Sequence, residues 1–252
     1  MHASMQRGPV QAAQHVNSGN WAGYANTATS GSIYEVTAEW NVPTVTCGET
    51  SGFTYQVSWV GIDGYGTGTV EQAGSLSYCS SPGATPVYYD WWEFYPYNSV
   101  QLVSTVGAGD FLQAYILYNP AASYNGVAGI YTLQVGDTDD QAASFQVTGN
   151  PTVCDSNGCE TGVDGSAECI SEAPGVNGGI AKLSDYGTTT FYACADTVGS
   201  TFAGIGSHGS HVTNYVIDQI GGVSGKTIQK TGPLSSYFFG KSDFTITWHG
   251  YR

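Results

Sequence analysis

The chain has almost no helical periodicity, and this limits its folds more than any other feature. No segment longer than about 12 residues carries an apolar stripe repeating every 3.6 residues. Instead, short runs rich in Val, Ile, Thr and aromatics alternate with Gly, Ser, Asn and Asp turns. The clearest runs are 32–43, 53–62, 86–96, 110–119, 129–137, 143–149, 188–197 and 243–251. Many alternate apolar and polar residues, as half-buried strands do. The one candidate short helix is HVTNYVIDQI, 211–220. No Pro-rich linker or charge run divides the chain. The expected architecture is all-β: one β-sandwich of two sheets, of the jelly-roll kind, over residues 17–252. Residues 1–16 read as a loose N-terminal arm or the remnant of a pro-segment, since they lack the apolar core of a signal peptide. A sheet of this size bends, and its concave face is the natural place for a ligand.

Composition narrows the function. Hydrophobic residues make up 41% and aromatics 13% of the 252 positions, enough for a substantial core. Only six residues are Lys or Arg against 20 Asp or Glu, a net charge of −14. Six scattered cations cannot track a phosphate backbone, so nucleic acid is not an expected partner. No run approaches the roughly 20 apolar residues of a membrane span, so no membrane partner is expected either. The shortage of cations bears on the pH at which the protein works, because Lys, Arg and His carry the charge that accumulates in acid. Six cysteines in a Lys-poor, Gly- and Ser-rich chain indicate a secreted, extracellular protein with three disulfides. One pairing is Cys154–Cys159, Cys47–Cys79 and Cys169–Cys194, among fifteen that sequence leaves open. No CxxC pair suggests zinc.

Several catalytic patterns are missing. There is no G-x-S-x-G elbow, no H-E-x-x-H and no D-T-G or D-S-G. His208, His211 and His249 read as loop and strand-end polar residues. Asp137, Asp139 and Asp140 read as a solvated turn, with calcium as the lesser alternative. What remains are carboxylates and an amide in strand-like, aromatic surroundings: Asp63, Glu71, Gln72, Glu93 and Glu168. Apolar surroundings disfavour a carboxylate's charged form, which lifts its pKa toward that of a useful acid or base.

Seven strings occur in order: NWAG (20–23), WVGIDG (59–64), VEQAG (70–74), WWEFYP (91–96), GAGD (107–110), SAE (166–168) and VIDQ (216–219). The ordered set resembles the glutamic peptidases, or eqolisins, over residues 18–251. The resemblance implies a sandwich of two curved antiparallel sheets, similar to the legume lectins (concanavalin-A-like). It implies acid hydrolysis of protein or peptide substrates by a Gln/Glu dyad, with no metal and no cofactor. The dyad maps to Gln72 and Glu168, and cleft residues map to Trp21, Trp59, Asp63 and Glu93. Tyr89 stands where the family usually has Asp, and Asp90 follows one residue later. In a strand that slip reverses the facing. Cys169 stands where an aromatic is commoner, and the cysteine pattern differs from that of the fungal members, which points to a bacterial or divergent branch. By alternation, Cys169 faces away from a cleft that Glu168 faces. A monomer is expected.

Two rivals remain. A jelly-roll glycoside hydrolase would use a glutamate pair, Glu93 with Glu168 or Glu71 with Glu93, about 5–5.5 Å apart if it retains configuration. A non-catalytic carbohydrate-binding module would stack sugars on Trp91 and Trp92. Gln72 separates these readings, because a glycosidase has no need of that amide.

Overall fold

The computed structural model describes residues 12–48, 52–97, 99–102, 106–137, 144–156, 158–221, 225–236 and 240–251. Among them the regular structure is strand. The order begins β1 (Gln14–Ser18), β2 (Trp21–Thr27), β3 (Ile33–Asn41), β4 (Thr54–Ile62), β5 (Val70–Cys79), β6 (Val87–Tyr95) and β7 (Val100–Leu102). It continues with β8 (Phe111–Tyr124), β9 (Val127–Asp137), β10 (Phe145–Gly149), β11 (Thr152–Asp155), β12 (Gly158–Thr161) and β13 (Ser166–Glu172). Short strands follow, β14 (Gly175–Val176), β15 (Gly179–Ile180) and β16 (Lys182–Leu183), then the long β17 (Thr188–Val198) and β18 (Thr201–Gly204). The chain closes with β19 (Thr213–Ile220), β20 (Thr227–Thr231), β21 (Ser235–Ser236) and β22 (Ser242–Trp248).

Two layers pack face to face. The front layer runs β1, β19, β2, β13, β4, β5, β6, β7. The back layer runs β10, β9, β8, β3, β17, β22. Strand β20 pairs with β19 of the front and β22 of the back, so one hydrogen-bonded ladder bends continuously from layer to layer. Between the layers, Val60, Ala73 and Cys169 from the front meet Val36, Trp40, Leu112, Leu133, Phe191 and Ile246 from the back, all buried. Full burial of each large side chain contributes about 1.5–3 kcal/mol. Trp40 pairs with a polar partner across the gap, its Nε1 donating to Ser75 Oγ at 2.9 Å.

The three disulfides are Cys47–Cys79, Cys154–Cys159 and Cys169–Cys194. The last ties β13 of the front layer to β17 of the back. Cys169 is buried between the layers, which leaves its neighbour Glu168 on the opposite, concave face.

The fold differs from the sequence reading in three places. The stretch read as a short helix is strand β19, whose Val216 and Ile217 are β-branched and whose backbone pairs with β1, β2 and β20. Tertiary pairing outweighs a short, ambiguous apolar period here. The arm boundary at residue 16 falls inside β1, which pairs parallel to β19 from Gln14 to Ser18. Asp137 ends β9 and is buried rather than solvated. Asp139 and Asp140 lie outside the described residues.

Candidate active site

Strand register places the site. Across the front layer, Glu93 pairs with Gln72, Gln72 with Gly61, Gly61 with Glu168, and Glu168 with Ala25. Residues directly opposite in a ladder share a face. Gln72 and Glu168 therefore stand on the same concave face, one on each side of β4, with Gly61 between them. Their backbones are two strand spacings apart, about 10 Å. The absence of a side chain at 61 makes room for the Trp59 ring and a Val70 methyl, which pack over it. A Cβ there would meet the Trp59 ring at 2.8 Å and a Val70 methyl at 3.2 Å.

Two residues along each strand, the next row on this face holds Ile170, Trp59 and Trp91, with Gly74 between the tryptophans. The row beyond holds Trp21, Glu172, Val57, Leu76 and Tyr89. A cleft of about 390 Å³ lies over these rows, and Trp21, Gln72, Leu76, Trp91, Glu93 and Glu172 line it.

Gln72 donates from Nε2 to Glu93 Oε2 at 2.6 Å, while its Oε1 is buried without a hydrogen bond. Burial pushes Glu93 up to about 7, with the Gln72 bond pulling partly against it. Glu168 is fully buried, its Oε1 accepting from the Tyr65 N–H at 3.3 Å. Burial holds its carboxyl well above the usual range. The nearby Ser166 hydroxyl and Tyr65 N–H oppose that shift, and the charge of Asp63 adds to it.

What covers Glu168 is the loop from Asp63 to Thr69. The Tyr65 ring packs on Tyr215 with centroids 4.6 Å apart. Tyr215 is the next residue in the dyad row, opposite Ala25. Gly64 and Gly66 give the loop its shape, with φ of 109° and 81°. In this closed arrangement, Glu168 lies under the loop while Gln72 and Glu93 open into the cleft.

The other predicted cleft residues separate into three positions. Trp21 lines the cleft and meets Trp59 edge to face, with centroids 5.0 Å apart. Trp59 is fully buried beneath it and donates from Nε1 to Glu172 Oε2 at 2.9 Å. Asp63 does not reach the cleft, which corrects its reading as a substrate contact. Its carboxylate is buried at a φ of 65° and accepts the N–H groups of Val163, Asp164 and Gly165 at 2.6, 2.9 and 2.9 Å. It anchors the loop that leads into β13. Glu71 lies on the core side of β5, so the pair Glu71 with Glu93 is split between two faces. Trp91 lines the cleft, whereas Trp92 packs against the inter-sheet core. Tyr89 faces the concave side and Asp90, paired with Ser75, faces between the layers.

Two features escaped the sequence reading. Glu172 lines the cleft, held by Trp59 and by Asn20 Nδ2 at 2.9 Å, and burial pushes it up to about 7. Its signal was its spacing: an even step of four from Glu168 in one strand puts both on one face. Tyr65 carries no such signal, because its position depends on how the loop folds back. His208, read as a loop residue, is buried with Nε2 3.0 Å from Asp196 Oδ1, and Asp196 also accepts from Asn26 Nδ2 of β2 at 2.9 Å.

Among the described residues, no three His, Cys, Asp or Glu side chains cluster as metal ligands, and no helix is long and apolar enough to cross a membrane. No curated protein matches the chain. Solved structures do. Scytalido-glutamic peptidase bound to a transition state analog inhibitor aligns at a TM-score of 0.66 and 20% identity, covering 92% of this chain and 98% of that one. SCP-B, a member of the eqolisin family in complex with the tripeptide Ala-Ile-His, aligns at 0.63 and 18% over the same shares. Aspergilloglutamic peptidase from Aspergillus niger aligns at 0.53 and 20%, over 78% of this chain and 99% of that one. At such identities these likenesses show the sandwich fold. The family model described as the Peptidase A4 family matches residues 19–232, most of the chain and every strand of the dyad row. With that match, the chain belongs to the peptidase A4 family, the eqolisins.

Proposed function

We propose that this glutamic-type peptidase is a secreted, monomeric acid endopeptidase that cleaves protein and peptide substrates with Gln72 and Glu168. One observation carries the assignment: an amide and a carboxyl from distant segments face the same glycine, on the same side of the sheet, at the edge of a cleft. The three disulfides support work outside the cell.

Peptide hydrolysis needs a base for water, a donor for the oxyanion and an acid for the leaving nitrogen. Glu168 as carboxylate removes a proton from water while the water oxygen bonds to the scissile carbon. The carbonyl electrons move onto oxygen. Gln72 has two amide hydrogens, of which one is engaged by Glu93. The other is free to donate to the oxyanion, at any pH. Glu168 then passes its proton to the amide nitrogen as the C–N bond breaks. Glu93 acts as a positioning residue, fixing which way the Gln72 amide points. Glu168 must be uncovered first, so turnover requires Tyr65 to lift from Tyr215.

The raised pKa of Glu168 bears on the order of events. A higher pKa makes the carboxylate a stronger base but reduces its ionised fraction tenfold for each pH unit below that pKa. If the base step comes first, kcat/KM rises with pH through the Glu168 titration, on a limb displaced upward from the ordinary carboxylate range. The same raised pKa favours a second order, in which protonated Glu168 first donates to the carbonyl oxygen, its carboxylate then takes a proton from the water that bonds to the carbon, and that proton passes to the leaving nitrogen; kcat/KM then falls with pH through that titration.

The test is cleavage of a denatured protein across pH 3–7, with pepstatin and a metal chelator as controls. Acid cleavage resistant to both is expected. Glu168→Gln abolishes it. Gln72→Ala lowers kcat by roughly 10²–10³, the usual effect of losing one oxyanion donor. Near-normal cleavage by either variant removes the dyad. Release of sugar from a polysaccharide without proteolysis would favour the glycosidase reading.

A further inference from the structure

The concave face does not end with the cleft. Two residues beyond the row of Val57 and Leu76, the strands present Tyr55 on β4 and Tyr78 on β5, directly paired. Phe53 precedes β4 by one residue and is 52% exposed. Tyr89 of β6 borders the strip from the last cleft row. The four rings form a ladder. Centroids are 6.1 Å apart for Phe53 and Tyr55, 6.0 Å for Phe53 and Tyr78, 5.8 Å for Tyr55 and Tyr78, and 6.0 Å for Tyr78 and Tyr89. Their planes stay within 38° of one another. Tyr55 and Tyr78 are half-buried and pack on the same concave-face cluster as Trp59, Trp91 and Leu76. The ladder is thus a continuation of the cleft wall.

We propose that this ladder is a remote subsite for the polypeptide substrate, taking an aromatic or large apolar side chain about six residues from the scissile bond. The cleft axis carries the proposal. The cleft's lining reaches from Gln72 in the dyad row to Leu76 and Val57 two rows on, and Tyr55 and Tyr78 stand on the same two strands in the next row. From Gln72 to Tyr78 is six residues of strand, about 20 Å at 3.3 Å per residue. An extended substrate lying along the cleft advances at the same rate, so its sixth residue from the cleaved bond arrives over the rings. Offset stacking and edge contacts favour an aromatic guest. A half-exposed Phe beside three tyrosines is apolar surface that such a guest would cover. This inference rests on the cleft being the peptide-binding cleft.

The experiment compares peptides that share one cleavage core. A short peptide spans the cleft only. Longer ones extend it at either end and place Phe, or Ser as control, about six residues from the cleaved bond. The wild-type enzyme is expected to show a kcat/KM about tenfold higher for one of the two Phe-extended peptides than for the short peptide, chiefly through KM, and little gain for Ser. In Tyr55→Ser/Tyr78→Ser that gain disappears, while kcat/KM on the short peptide stays within about twofold. Phe53→Ala, at a half-exposed position before the strand, gives a partial loss and serves if the double variant folds poorly. Equal values for short, Phe-extended and Ser-extended peptides in the wild type overturn the subsite, as does a gain unchanged in the variants. Retention on an insoluble polysaccharide that the variants lose, without any peptide-length effect, would also overturn it in favour of a carbohydrate. Failure of the dyad reading looks different: Glu168→Gln would still cleave the short peptide.

Discussion

Two of the groups of polar side chains buried between the layers are built from opposite chemistry. Under Trp59 and Glu172 lies a network of amides and hydroxyls. Gln56 Nε2 donates to Ser58 Oγ at 2.8 Å, Ser171 Oγ to Gln229 Oε1 at 2.7 Å, and Gln229 Nε2 to Gln219 Oε1 at 2.6 Å. Tyr186 also donates to Gln229 Oε1. At the other end, near the dyad, Glu71, Asp63 and Asp164 lie close together with Tyr131. Tyr131 donates to Asp164 Oδ1, and burial pushes Asp164 up to about 6. Glu71 is fully buried, and neither of its carboxyl oxygens has a hydrogen bond. Burial, with the charges of Asp63 and Asp164, holds it well above the ordinary range. The amide network has nothing to titrate. In the carboxyl cluster, Glu71 and Asp164 are both pushed by burial toward their protonated forms. Of these two groups, the first is therefore indifferent to pH and the second favours acid.

The largest expected effect follows from linkage. Glu71 and Glu168 have folded pKa values above the unfolded value near 4.5. Above pH 4.5 the unfolded chain releases these protons and the folded chain retains them, so stability falls as pH rises. The loss begins near 4.5 and continues until the folded groups ionise. Each group contributes about 1.36 kcal/mol per pH unit in that window, so the pair gives about 2.7. Denaturant unfolding of the wild type at pH steps from 4 to 7 measures the slope, and a flat profile would break the comparison. Next in size is Gln229→Leu, which leaves Ser171, Tyr186 and Gln219 short of a partner and costs about 2 kcal/mol. That cost should be the same at pH 4 and pH 7. A pH-dependent cost would mean the amide network is not neutral ground. Glu71→Met keeps the volume and removes the titration, lowering the slope by about 1.4 kcal/mol per pH unit. The smallest effect tests the shortage of cations. Thr44→Lys, Thr201→Lys and Ser236→Lys, all at exposed positions, should each lower stability by a few tenths of a kcal/mol at pH 3 and less at pH 7. Equal losses at both pH values would leave the carboxyls alone responsible for acid tolerance.

The sequence displayed the strands well and the site unevenly, for physical reasons. Period-two runs such as 110–119 and 129–137 mark their own faces, because alternation is local. The shared face of Gln72 and Glu168 is not local. It depends on both strands registering on Gly61, and only the resemblance to a known family joined them beforehand. Asp63 sits within the same string as Trp59, yet its left-handed backbone turns the carboxylate to the 163–165 loop instead of the cleft. Residues 213–220 misled because a short apolar run fits both periods until its neighbours are known. Glu71 was visible as a carboxyl in apolar surroundings, but adjacency to Gln72 placed it on the other face.

Gly61 sets a ruler. Because the amide and the carboxyl stand on strands either side of it, their separation is fixed by the pitch of the ladder and by how strongly the sheet twists at that point. The Trp59 ring and a Val70 methyl pack over that glycine. The spacing of the two backbones is then a mechanical property of the sheet. Anything that flattens or tightens the curl of the front layer, whether bound substrate or a changed strand edge, moves Gln72 and Glu168 apart or together like the jaws of a caliper.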